Sequence, residues 1–198
     1  MSRLATSFVL GYHGCDRRVA EQAVNGKIDL IQSDRAYDWL GPGFYIWESD
    51  EQRAREWAEA KVRRGDYAEA AVIGAAIDLG NCLDLVSRHD LELVRGAYRS
   101  LVKQHAETGL QMPTNRGVGT DPDDDRVLRL LDCAVIKHLH AMIESVPLPE
   151  RVVPAFDTVR GMFGEGGQLY PGGGFRERSH VQIAVRNMDC VKGIFFPR

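Results

Sequence analysis

No two of the four cysteines, Cys15, Cys82, Cys133 and Cys190, stand close enough to form a CxxC pair. A zinc site and a disulfide framework are therefore not expected, and free thiols suit a reducing cytoplasm. No apolar run approaches the roughly 18 residues that a bilayer-spanning helix needs, so no membrane association is expected. The opening MSRLATSFVLGYHG has a short apolar stretch without a small-residue cleavage site, so no signal peptide is expected and the location is read as cytoplasmic. Excess charge is also missing. A formal net charge of −3 gives no basic field for wholesale binding to nucleic acid. Internal repeats and low-complexity tails are absent too. What is there, 44% hydrophobic and 27% charged residues over 198 positions, is the composition of one globular domain spanning 1–198.

Periodicity divides the chain. Residues 8–12 (FVLGY) read as a buried strand ending at His13-Gly14-Cys15-Asp16, and residues 17–24 as a short helix. Gly41-Pro42-Gly43 is a turn, and the aromatic and β-branched residues 44–47 make a strand. Ala- and Glu-rich residues 50–63 follow as a helix capped by Ser49 or Asp50. Residues 71–79 read as a strand covered on both faces. The spacing of Leu91, Val94, Tyr98 and Leu101, then of Val127, Leu130, Leu131, Ala134, Val135 and His138, predicts two amphipathic helices over 88–107 and 125–143. They form a helical insertion at about 88–145, joined by a Gly-, Pro- and Asp-rich connection. Residues 152–163, 180–186 and 190–196 read as strands, with Pro154 placing the first at an edge. In 180–186, His180, Gln182 and Ala184 share one face, opposite Val181, Ile183 and Val185.

Three segments put polar or aromatic side chains beside short strands: Tyr12-His13-Gly14-Cys15, Gly41-Pro42-Gly43-Phe44-Tyr45 and His180-Val181-Gln182. Singly, each has an ordinary explanation as a satisfied histidine, a packed tyrosine or a solvated glutamine. Asp38 reads as a cap of the Gly41-Pro42-Gly43 turn. His138 and His140 stand two apart on a helix and diverge, so no metal is expected there, and His138 reads as a core histidine.

In order and spacing these segments resemble the ADP-ribosyltransferase superfamily, in the branch of diphtheria-type toxins and poly(ADP-ribose) polymerases. That branch carries a His on its first strand, a Tyr on a later one and a Glu near the end. Tyr12-His13-Gly14 matches the first motif and Leu40-Gly41-Pro42-Gly43-Phe44-Tyr45 the second. HVQIAVRNMDCVKGIFF matches the third, with Gln182 where the family has its catalytic Glu. Residues 174–183 also resemble a bacterial subfamily with a segment of the type GFRE(R/K)(S/T)H(V/I)QI. The likeness runs from about residue 10 to 196 and leaves the helical insertion uncovered.

The resemblance implies an α+β fold of two facing, mostly antiparallel sheets around an NAD cleft. It implies mono-ADP-ribosyl transfer from NAD, as substrate and without a metal, to a protein or nucleic-acid acceptor, with nicotinamide leaving. His13, Tyr45, Gln182 and His180 are then the candidate catalytic residues, Glu177 being a second choice as base. His13, Gly14, Cys15, Tyr37, Gly43, Phe44, Tyr45 and Arg176 are the candidate NAD contacts. Tyr45 would stack on the nicotinamide and His13 would bond a ribose hydroxyl. Tyr170 and Phe175 of the Gly-rich loop would touch the acceptor. Small bacterial transferases of this kind are often growth inhibitors, which makes the chain a candidate toxin with an antitoxin or immunity partner. Two related readings, an RNA 2′-phosphotransferase and an inactive NAD- or ADP-ribose-binding module, share the fold, and a plain interaction protein is the third.

Overall fold

Two helix starts follow from an N-cap side chain that accepts an orphan backbone N–H group. In a computed structural model that describes residues 8–117 and 128–198, Asp16 Oδ1 accepts from the Arg18 N–H at 3.0 Å and opens α1 (Arg17–Val24). Its Oδ2 accepts from the Ala68 N–H at 2.7 Å, so the same carboxylate ties the helix to the chain entering β3. Asp50 accepts from the Arg53 N–H at 2.9 Å and opens α2 (Glu51–Arg63). The longer α3 (Arg88–Thr108) ends at Gly109, whose φ of 71° is the left-handed cap that glycine adopts without strain. The fourth helix, α4, runs Leu130–Glu144. Its predicted beginning at 125–127 and the preceding Asp121, Asp123 and Asp124 lie outside the described residues, while Leu128 and Arg129 are not helical.

Seven strands, β1 (Phe8–Asp16), β2 (Phe44–Glu48), β3 (Ala70–Asp78), β4 (Cys82–Asp84), β5 (Thr158–Phe163), β6 (His180–Val185) and β7 (Val191–Phe195), form one mixed sheet. Its order is β4-β5-β6-β2-β1-β3-β7. The architecture is thus α+β, but the expectation of two facing sheets is corrected: the hydrogen-bonded ladder is continuous. The reason lies in β2, which pairs with both β1 and β6. Its link to β1 is nonetheless short, with only Gly11 opposite Glu48 and Tyr12 opposite Trp47, whereas β1 and β3 pair from Phe8 to Asp16. Only β4 and β5 are parallel, and a parallel pair needs a crossover connection. The inserted helices α3 and α4 supply it. The strand expected over 152–163 begins at Thr158, because Pro154 and Ala155 instead offer their carbonyls to the Asn81 side chain. It lies inside the sheet rather than at an edge.

Each face of the sheet has its own core. One buries Cys15, Phe44, Ile46, Ile73, Ala75, Ile77, Ile183 and Val185, with Ala20 of α1 against them. The other buries Leu40, Leu83, Val159, Phe163 and Ala184 beneath α3 and α4. On that second face a separate, smaller cluster of Trp47, Ala54 and Val72 lies under α2. The close approach of α2 depends on Gly14, where an added Cβ would fall 2.1 Å from the Ala54 carbonyl oxygen. Gly14→Ala is therefore expected to destabilise the fold by about 3 kcal/mol, since backbone, unlike a side-chain tip, cannot move aside cheaply. An unchanged urea midpoint would show that α2 does not rest on this glycine.

Candidate functional site

Between the α2 cluster and the α3–α4 cluster, the second sheet face carries a row of paired residues. Tyr12 stands opposite Trp47, Trp47 opposite Gln182, and Gln182 opposite Gly161, across four neighbouring strands. The next row has His180 opposite Phe163, and on the far side Tyr45 stands opposite Ala184. Directly opposed residues share a face, so Tyr45, Trp47, His180 and Gln182 all project the same way. Sequence reading expected this for His180 and Gln182, and the sheet adds Tyr45 and Trp47.

The bonds here are specific. Gln182 Oε1 accepts from Trp39 Nε1 at 2.7 Å, and because an indole only donates, the amide orientation is fixed. His180 is buried, stacked on Phe163 with centroids 5.6 Å apart, and its Nδ1 lies 2.8 Å from the Arg178 carbonyl oxygen. A carbonyl can only accept, so Nδ1 carries the proton and Nε2 keeps a lone pair with no partner among the described residues. Burial, helped by the nearby Arg53 charge, holds the His180 pKa below its ordinary value, against the Arg178 carbonyl and Glu165, which raise it. Glu165 of the Gly-rich loop is also nearly buried. Its Oε2 accepts from Arg53 Nη2 at 2.6 Å and lies 3.9 Å from His180 Nδ1, and its Oε1 is 3.5 Å from Arg178 Nη1. Arg129 adds a second cation, 5.3 Å from the Trp39 ring centroid and 5.2 Å from that of Phe163, while paired with Asp132.

His13 stands apart. Alternation along β1 sends it to the opposite face from Tyr12, where its ring lies 4.7 Å from that of Phe44. It still reaches the site's backbone: Nδ1 donates to the Tyr45 carbonyl at 2.8 Å, just past the last β1–β2 pair, so the imidazole fills the place of the next ladder bond. Burial lowers its pKa, so at neutral pH the ring is uncharged with Nε2 available as an acceptor.

Several other candidates are engaged structurally. The Tyr45 hydroxyl accepts from the Leu40 N–H at 3.0 Å and donates to the Gly41 carbonyl at 2.8 Å, which clamps the Gly41-Pro42-Gly43 turn. Burial raises its pKa far above the usual phenol range. Gly43 packs on β6, where a Cβ would sit 3.0 Å from the Val185 carbonyl oxygen, and Phe44 belongs to the first core. Tyr37 is partly exposed and accepts from Arg35. Arg176 donates to the Gly166 carbonyl at 2.9 Å, bracing the neck of the loop. The Asp38 side chain caps the turn at 35–38 rather than the Gly41-Pro42-Gly43 turn, accepting from Ser33 Oγ and the Arg35 N–H. Of the histidine pair it is His140, not His138, that is deeply buried, because His138 reaches Ser100 at the α3–α4 contact.

Cys15 is 3% exposed and sits inside the first core rather than at an open mouth. Burial, with Asp16 adding to it, pushes its pKa up to about 11. Alkylation by iodoacetamide at pH 8 is therefore expected to run roughly 100-fold slower in the native chain than in urea, since only the thiolate reacts. Comparable rates in the two states would place the thiol in solvent.

Trp39, Trp47, Arg53 and Glu165 were not among the sequence candidates, although the Gly164-Glu165-Gly166-Gly167 stretch after a strand was a usable signal. Among the described residues no three His, Cys, Asp or Glu side chains are placed to share a metal ion, and no helix is long and apolar enough to cross a membrane. A groove of about 390 Å³ lies alongside, between Trp39, Leu85, Val94, Tyr98, Arg129 and Ile136. Comparison of the chain with protein-family models, with curated proteins and with solved structures finds no match in any of the three.

Proposed function

We propose that this chain is a mono-ADP-ribosyltransferase that takes NAD as donor, passes its ADP-ribose to a macromolecular acceptor and releases nicotinamide. The observation that carries the reading is the strand order β6-β2-β1, which sets the three motif-bearing strands side by side. The β1–β2 ladder gives way at His13, and the ring there keeps one nitrogen free. NAD supplies a leaving group and an electrophilic ribose carbon. His13 Nε2 would accept from a ribose hydroxyl where the β1–β2 ladder parts, the gap through which one NAD would reach Gln182 and His180 on the other face. Gln182 Oε1, held by Trp39, keeps a second lone pair for a ribose hydroxyl. His180, neutral and with Nε2 free, would take the acceptor's proton.

A second reading is favoured by one observation, that the amide of Gln182 brings no negative charge and the neighbouring carboxylate, Glu165, is already paired with Arg53. An NAD- or ADP-ribose-binding module would bind without turnover. Calorimetry with NAD together with an assay for free nicotinamide separates the two. Binding with nicotinamide release, and label passing from NAD to a lysate component, supports the transferase. Binding without release supports the module, and no binding rejects both.

A further inference from the structure

We propose that Arg53, Trp47 and Arg178 form a binding site for a phosphate-type oxyanion, whose place is taken in the free chain by the carboxylate of Glu165. The inference does not depend on the transferase reading. It starts from donors left over. Trp47 is 5% exposed and its Nε1–H, which can only donate, is buried with no acceptor among the described residues. Arg53 Nε is likewise buried and unpartnered among the described residues. The two groups are neighbours, the Arg53 guanidinium carbon lying 5.8 Å from the Trp47 ring centroid. An unmade buried hydrogen bond costs a fold stability, and two on adjacent side chains of one polar cluster point to an acceptor that the free chain lacks.

Glu165 fills the site poorly. A carboxylate that matches a guanidinium takes two N–H groups in parallel, but Glu165 engages Arg53 through Nη2 alone, at 2.6 Å. Among the described residues Arg53 Nη1 has only a distant charge partner, Glu56 Oε2 at 3.9 Å. The other oxygen of Glu165 is 3.5 Å from Arg178 Nη1. The donors come from three directions, α2 for Arg53, β2 for Trp47 and the loop for Arg178. A planar group with two oxygens cannot meet all of them. A tetrahedral group with three or four acceptor oxygens offers more acceptor directions, which favours phosphate or pyrophosphate over a carboxylate ligand. The loop backbone is held, the Glu165 carbonyl accepting from the Arg178 N–H at 2.9 Å, so displacement of the stand-in would come from rotation of the Glu165 side chain. Displacing it leaves the incoming oxyanion beside His180, whose Nδ1 is 3.9 Å from the oxygen that leaves.

The test is calorimetric titration of the full chain with inorganic pyrophosphate, and separately with ADP-ribose. The parent is expected to bind pyrophosphate weakly, and Glu165→Gln about tenfold or more tighter, because the competing charge is gone. Adding Arg53→Lys to Glu165→Gln should cancel that gain, since an ammonium has no fork. Trp47→Phe should weaken binding while leaving the melting temperature equal or higher, for it removes an unpaired donor. Competition between ADP-ribose and pyrophosphate would assign the site to a nucleotide's phosphates, and pyrophosphate binding without competition would assign it to a phosphate on the acceptor. Should Glu165→Gln lose thermal stability, pyrophosphate is expected to restore it. Folded Glu165→Gln that binds pyrophosphate no tighter than the parent, or that gains nothing in stability from it, overturns the proposal. Missing nicotinamide release would leave it standing.

Discussion

On the transferase reading, His180→Gln is expected to lower ADP-ribosyl transfer by about 10²–10⁴-fold, the usual share of a positioned base, while changing NAD affinity far less. The bond from Nδ1–H to the Arg178 carbonyl fixes the tautomer, so the lone pair is on Nε2. Burial keeps the ring neutral at pH 7. Glutamine is chosen because alanine would leave a void against Phe163 and confuse lost chemistry with lost packing. A base with a lowered pKa also predicts that parental transfer rises with pH through the acid range and is flat by pH 7, a profile that the variant should lose. Gln182→Glu tests the neighbouring position. One carboxylate oxygen can keep the Trp39 bond while the charge stabilises the departing nicotinamide's partner, so hydrolysis of NAD to water should rise. Transfer by His180→Gln at the parental rate and with the parental pH profile would remove His180 from the chemistry.

Much of the fold was legible where one local rule settled the matter. Asp16 and Asp50 are helix caps by chemistry, Gly109 stops α3, and alternation along β6 placed His180 and Gln182 together. What escaped was set by pairing across the chain. Cys82–Asp84 is too short to show a period and is a strand only because β5 lies beside it. One sheet rather than two depends on the short Gly11–Tyr12 junction with β2, which no local pattern encodes. Val152 and Val153 suggested a strand by composition, yet Asn81 claims the carbonyls that follow them.

The site was legible in its motif residues and not in their partners. His13, Tyr45 and Gln182 are conspicuous because polar groups on strands are costly. Their faces were harder, since His13 and Tyr45 meet through a backbone carbonyl while their side chains point to opposite sides. Arg53 and Glu165 stand 112 positions apart and each reads locally as solvated. Only the fold makes them a buried pair, and only burial turns the Trp47 and Arg53 donors into unmet needs.

The stability of the chain is expected to fall steeply as pH drops from 6.5 towards 4, with His140 as one of the contributors. This residue is 4% exposed, and neither ring nitrogen has a hydrogen-bond partner among the described residues. Burial, with Arg186 adding to it and Glu144 opposing, pushes its pKa down to about 4. The unfolded chain protonates His140 near the ordinary value of about 6.5, so between those two pH values it binds more protons than the folded chain. Stability must then rise with pH across the window and fall on acidification, levelling off below the folded pKa. A shift of this size is worth on the order of 3 kcal/mol, a large part of the roughly 5–15 kcal/mol that holds a domain folded. His13, His138 and His180 are shifted the same way and steepen the loss. The variant His140→Leu isolates one share: it fills the space beside Phe156 and Ile136 with an apolar group and removes both unpaired nitrogens. It should be more stable than the parent by about 1 kcal/mol at pH 7, and by progressively more as pH falls to 4. Urea unfolding at half-unit pH steps gives the difference curve. A difference that stays constant from pH 7 to pH 4 would mean that His140 titrates alike in both states and is not the buried, unpartnered base described above.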